Sequence, residues 1–127
     1  MIVEEKHFPA VVRFVDFDLE NDAELLEIVE LASAVTGSPF ALIALLNQDI
    51  LYLKVKKGVA ITQVCADTSL CAYALRQPGL MLVADTLNDN RFVSNANVSG
   101  GLGIRFFAGV PLVTANGERI GVLAVYD

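Results

Sequence analysis

Residues 105–127 constrain the fold more than any other stretch. Two apolar runs, FFAGVPLV and IGVLAVY, are joined there by six residues, 114–119, that contain Asn116-Gly117. Asn-Gly between two β-rich runs is the strongest short-range hairpin signal, because a type I′ turn needs positive φ at both central positions. Each run is apolar on both faces, which predicts strands in the middle of a covered sheet. The remainder of the chain is then read as neighbours and covers for these two strands.

The 127 residues are enough for one domain with a real core. At 54% hydrophobic and 19% charged the chain is apolar for its size, and such a surface is expected to meet a partner or a flanking segment. The uncharged run 38–48 is too short to span a bilayer. The opening Met-Ile-Val-Glu-Glu-Lys does not resemble a signal peptide, so a cytoplasmic location is expected. A net charge of −6, with Lys54, Lys56 and Lys57 as the one basic group of note, argues against nucleic-acid binding. Cys65 and Cys71 lie six apart and form neither a zinc motif nor CxxC, and His7 is the lone histidine. Ser-His-Asp chemistry and histidine-rich metal sites have almost no material here.

Residues 1–18 show neither a clean helical nor a clean strand period, although Phe8, Val11, Val12, Phe14, Val15 and Phe17 are apolar. They form a lead-in to a single domain over 19–127. Asn21 is read as an N-cap, with Leu25, Ile28, Val29, Ala32 and Val35 on the inner face of a helix over 22–36 and Gly37 closing it. The run 40–46 predicts a buried strand. Residues 50–57 alternate, with Leu51, Leu53 and Val55 on one face and lysines on the other, as an edge strand does. Residues 58–67 read as a crossing loop. Asp67 or Thr68 is expected to cap a short helix through Arg76, and residues 81–84 form a brief strand. The polar stretch 85–103 is long enough to be functional or mobile, with a helical turn near 90–93.

Four segments carry a family resemblance: TSLCAYAL (68–75), VAD with NRF (83–85, 90–92), IRFFAGVPL (104–112) and RIGVLAVYD (119–127). In order and spacing they are similar to the SFCAHAI, V-x-D…D-x-RF, IRFYAGAPL and LGTLCVID stretches of the GAF family, small-molecule sensory modules of signalling proteins. The subgroup resembled stands at the front of bacterial histidine kinases and diguanylate cyclases. The resemblance implies an α+β fold, a central antiparallel sheet of five or six strands with helices on both faces. One face and its loops enclose a ligand pocket. It also implies a C-terminal helix that would start where this sequence stops, at Asp127.

On that basis the candidate pocket residues are Cys71, Tyr73, Asp85, Arg105 and Phe107. Arg105 at the start of a buried strand calls for a carboxylate, and Asp85 is the expected partner at the pocket mouth. Cys71 reads as a small buried hydrophobe more readily than as a redox thiol, since no neighbour in sequence lowers its pKa. A Cys65–Cys71 pair is a minor alternative. Phe106, like Phe107 and Tyr73, reads as pocket lining or plain core, and Asn90-Arg91-Phe92 as an anchor for the long loop. Tyr52 stands where the family often has Trp, so a stacking role is not expected of it. Gly100-Gly101-Leu102-Gly103 precedes a strand rather than a helix and is not read as a phosphate loop. Asn97-Val98-Ser99 is a glycosylation sequon of consequence only in a secreted protein.

The Cys-His pair of bilin-binding relatives, the NKFDE signature of cyclic-nucleotide binders and the cysteine set of free methionine sulfoxide reductases are all missing. No bilin, haem or cyclic-nucleotide cofactor is therefore expected. The resemblance implies a non-catalytic sensory module, led by the histidine-kinase setting, that binds an unknown small molecule or partner and biases an output domain of the same chain. A homodimer is expected. The alternatives are a ligand-free dimerisation scaffold, with the helix 22–36 at a two-fold interface, and a redox sensor built on Cys71.

Overall fold

A computed structural model describes residues 19–67, 69–100 and 103–127; the lead-in over 1–18 lies outside them. The chain forms a turn of 3-10 helix at Leu19–Asn21, helix α1 (Ala23–Thr36), strands β1 (Phe40–Asn47), β2 (Ile50–Lys57) and β3 (Gln63–Cys65), and helix α2 (Leu70–Leu75). Strand β4 (Met81–Val83), a second 3-10 turn (Thr86–Asn88), helix α3 (Ala96–Ser99) and strands β5 (Phe107–Val113) and β6 (Arg119–Tyr126) follow. The six strands make one antiparallel sheet in the order β3-β2-β1-β6-β5-β4. The expected α+β architecture is present.

The hairpin of 105–127 lies where its two-faced apolarity places it. β6 sits between β1 and β5, with Ala44 opposite Val122 on one side and Pro111 opposite Val122 on the other. Its turn differs from the expected type I′. Gly117 adopts φ 85°, but Asn116 does not have positive φ; among the described residues Gln48 is the one non-glycine that does. The Gly117 N–H donates to Thr114 O and the Thr114 N–H to Glu118 O, both at 2.9 Å. A longer loop thus needs the left-handed conformation at glycine alone.

Two apolar layers cover the sheet. On one face Leu42, Ala44, Leu51, Leu53, Phe107 and Val122 pack against α2 and the long loop. On the other, Ala41, Ile43, Val55 and Val125 pack against Val29 of α1. Val55 corrects the expectation that it shares a face with Leu51 and Leu53. The β1–β2 register slips between Ile43 and Ala44, which pair with Val55 and Leu53. The extra residue, Lys54, is a β-bulge that turns Val55 to the opposite side.

Other boundaries move for local reasons. Asp22, not Asn21, caps α1: its carboxylate accepts the Leu25 N–H at 3.0 Å. Ser69, not Asp67 or Thr68, caps α2 by accepting from Ala72 N. The stretch read as a crossing loop contains β3, which pairs with residues 50–52 of β2, so β2 is an edge only along its second half. Ile28 and Val35, assigned to the inner face of α1, are 44% and 75% exposed. The helix is held to the sheet through Leu25, Val29 and Ala32, and among the described residues nothing packs against its other flank. The helical turn expected near 90–93 is present, with Phe92 N and Val93 N both bonded to Asp89 O.

Candidate functional site

The sequence of α2 places its apolar residues on the sheet. Leu70, Cys71, Ala74 and Leu75 are all buried, and capping by Ser69 fixes where the helix begins. At that first turn a small cavity of about 20 Å³ opens between the helix and the sheet, room for roughly one water molecule. Leu42, Leu53, Phe107 and Tyr126 form its sheet wall. Ile61 and Val64 close the side toward β3, and Leu70, Cys71 and Ile104 close the opposite one. Ser69 and Asn97 are the two polar residues in the lining.

Both polar side chains are engaged with backbone. Ser69 Oγ donates to Cys65 O at 2.8 Å while accepting from Ala72 N. Asn97 Oδ1 accepts the Leu70 N–H at 3.2 Å, and Asn97 O accepts from Ile104 N. Asn97 thereby ties the long loop to the start of α2. Behind this partition lies a wider crevice of about 400 Å³ that shares Val64, Ser69 and Asn97 with the cavity and adds Cys65, Ser94 and Asn95. The two spaces are separated by side chains of the loop and the helix cap, not by the sheet.

Of the five candidate residues, Cys71 and Phe107 line the cavity. Tyr73 does not: its ring packs edge-on against Phe92, with centroids 4.8 Å apart at 86°. Asp85 and Arg105 line a separate open basin together with Phe106 and Asp127, and the bridge expected between them is not formed. Asp85 instead caps the 3-10 turn through Leu87 N and accepts from Asn88 Nδ2. Arg105 donates to Val98 O at 2.8 Å, at the carbonyl end of α3. Arg105 is exposed, so the premise of a buried charge in need of a carboxylate fails, and a helix end serves it as well.

Phe92, by contrast, is fully buried, as an anchor of the loop should be. The Arg91 side chain lies over its ring, and a hydrogen bond from Arg91 holds the Asp89 carboxyl below the usual carboxylate range. Sequence reasoning misses Ser69, Asn97 and Tyr126. For Ser69 a cap signal exists, immediately before the buried run. Asn97 is visible in the sequence solely as part of a sequon, and its role depends on contacts 27 residues away.

Both cysteines are free thiols, Cys65 exposed and Cys71 buried. Burial pushes the Cys71 thiol from 9.0 up to about 12, which removes the thiolate needed for attack near neutral pH. The folded thiol holds its proton more tightly than the unfolded one. This contribution to stability is complete below pH 9 and is lost as pH rises toward 12. In the native protein iodoacetamide at pH 8 should modify Cys65 alone, and Cys71 should react after denaturation; mass spectrometry of the native sample showing Cys71 alkylated at a comparable rate would overturn the inert reading.

Among the described residues no group of three or more His, Cys, Asp or Glu is placed to hold a metal ion, and no helix is long and apolar enough to cross a membrane. A compact sheet, a helix-capped cavity on one face and a long loop over it are the geometry to be matched. Residues 20–127 match the sequence profile of the GAF domain. This chain belongs to the GAF family. Over 101 residues it is 40% identical to a cyclic di-GMP phosphodiesterase of Pseudomonas aeruginosa. That match covers 80% of this chain and 17% of the relative, so the GAF domain spans about a sixth of that protein. Among solved structures it resembles a free methionine-R-sulfoxide reductase of Neisseria meningitidis, with a TM-score of 0.64 at 20% identity over 97% of this chain and 72% of that one. It also resembles the GAF domain of an Acinetobacter phosphoenolpyruvate-protein phosphotransferase, with a TM-score of 0.64 at 16% identity over 98% and 77%. At such identities these two likenesses concern the fold.

Proposed function

We propose that this GAF domain is a non-catalytic sensory module of a longer signalling protein and that it responds to a small neutral ligand. The identity to a segment of a cyclic di-GMP phosphodiesterase carries the signalling part. It favours an output domain of cyclic di-GMP turnover over the sensor histidine kinase suggested by the sequence motifs. The non-catalytic part rests on Cys71, whose buried thiol stays protonated.

The ligand class follows from the lining. No charged residue borders the cavity, so a nucleotide or other anion entering there would lose its hydration without a counter-charge. An apolar molecule with one hydrogen-bonding end suits Ser69 and Asn97. At about 20 Å³ the cavity is closed, so a ligand of any size requires Asn97 and the 94–99 segment to move off Leu70. Binding then selects an open form, and that difference is what an output domain can read.

A thermal-shift screen of neutral metabolites against nucleotides tests this reading. A true ligand at a hundredfold excess over its Kd should add about 2.7 kcal/mol of stability, and Val64→Phe, which fills the cavity from its half-buried rim, should abolish the effect. Stabilisation by nucleotides alone, or a shift that survives Val64→Phe, would refute it. The closed cavity also favours a second reading, a ligand-free dimerisation scaffold. A monomer in sedimentation over the working concentration range would remove that one.

A further inference from the structure

The face of the sheet that carries α1 is only partly covered. α1 lies over β1, β2 and β6, and beside it an apolar groove of about 150 Å³ runs over β5 and β6. Ala32 and Thr36 form its helix wall; Ala108, Val110 and Leu123 form its floor; Leu80 closes one end. Exposed apolar side chains extend it. Leu80 is 67% exposed and Leu82, on the β4 strand opposite Ala108, is 59% exposed. On the helix, Leu31 and Val35 are 63% and 75% exposed. Ile28, Leu31 and Val35 recur at helical spacing, one continuous stripe adjoining Ala32. Scattered exposed leucines need no explanation, but a groove with a contiguous apolar stripe along its wall does.

We propose that this groove is the docking site of the chain's own N-terminal segment, residues 8–17. Three observations converge on that occupant. The segment holds Phe8, Val11, Val12, Phe14, Val15 and Phe17, six large apolar side chains in ten residues, three of them from the chain's seven phenylalanines. Its attachment point is already on this face: Leu19 packs with α1 and the sheet in the same apolar layer, and Glu20 pairs with Lys54 at 3.3 Å. The reach suffices as well. Eighteen residues extend up to about 60 Å, against about 21 Å for the whole of α1. A segment with that composition gains more by covering the groove than by staying in water.

The site is distinct from the cavity under α2, on the opposite face of the sheet, and the proposal stands whatever the cavity binds. It is tested on the full chain by nuclear Overhauser contacts between phenylalanine rings and methyl groups, which need no substitution. Contacts from Phe8, Phe14 or Phe17 to the methyls of Leu80, Val110 or Leu123 are expected. A sample mixing isotope-labelled and unlabelled chains should give none across molecules. Absence of such contacts, with these methyls still exposed to a soluble paramagnetic agent, overturns the proposal. So do contacts seen only between molecules, which would make a second copy of the chain the occupant.

Discussion

Gly121→Ala should cost more than about 3 kcal/mol and leave little folded protein, a larger loss than one added methyl ordinarily brings to a core. Gly121 lies in β6 between Leu45 of β1 and Leu112 of β5, so neighbours hold it on both sides. A Cβ at this position would overlap the carbonyl oxygen of Ala44, and it would stand 3.0 Å from the Leu45 side chain. A flexible side-chain end could swing aside, but a strand carbonyl cannot without breaking the β1–β6 ladder, and β1 and β6 are the two central strands. The check is the soluble yield and the urea midpoint of Gly121→Ala beside Gly79→Ala. A methyl group added at Gly79 would meet nothing within 4 Å, so that substitution should be nearly silent. Equal stability of the two variants would contradict the close approach of β1 and β6.

Phe92→Ala is expected to be the most damaging truncation in the long loop, at about 3–5 kcal/mol. For a domain of this size that corresponds to a fall in Tm of about 10–20 °C. Phe92 has no exposed surface, belongs to the same apolar layer as Leu53 and Phe107, and meets Tyr73 edge-on. Truncation leaves a void under the loop that no neighbour fills. It also releases residues 89–95, whose turn hydrogen bonds converge on Phe92 and Asp89. Urea unfolding should show the loss of stability, and hydrogen exchange should rise at residues 92–99 before the strands are affected. A change below about 1 kcal/mol would mean that the ring is not the anchor the packing indicates. Arg91→Ala should be far milder, because the Arg91–Asp89 pair is exposed on the arginine side and such pairs contribute little.

These two residues also mark how far the sequence can be read. Asn90-Arg91-Phe92 is legible as a loop anchor because a phenylalanine in a polar stretch has one obvious destination. Gly121 is legible only as part of an apolar strand. Its requirement comes from the close approach of Ala44, a residue far earlier in the chain, which no local pattern encodes. The expected Arg105–Asp85 bridge is missing for a related reason. The apolar residues after Arg105 correctly place a strand there, but they do not bury the residue before it. An exposed guanidinium finds carbonyls at the end of α3 instead.

Local patterns determined the elements with strong, repeated signals: the hairpin around Gly117, the alternating β2, and helix α1 with its acidic cap and Gly37, which sits at φ 70° as a left-handed terminator. These depend on backbone conformation and on which side of one element is apolar, properties that a few consecutive residues fix. The four family motifs carried the fold as a whole. Tertiary structure decided the rest. The bulge at Lys54 sends Val55 to the α1 face, β3 forms because β2 offers an unpaired edge at residues 50–52, and Asn97 crosses 27 positions to close the cavity at Leu70. Each is a pairing between distant segments, selected by the ladder and the packing that are available once the sheet is assembled. That is why the position of the cavity was foreseeable from Cys71 and Phe107, while its polar partition, Ser69 with Asn97, emerged only from the folded chain.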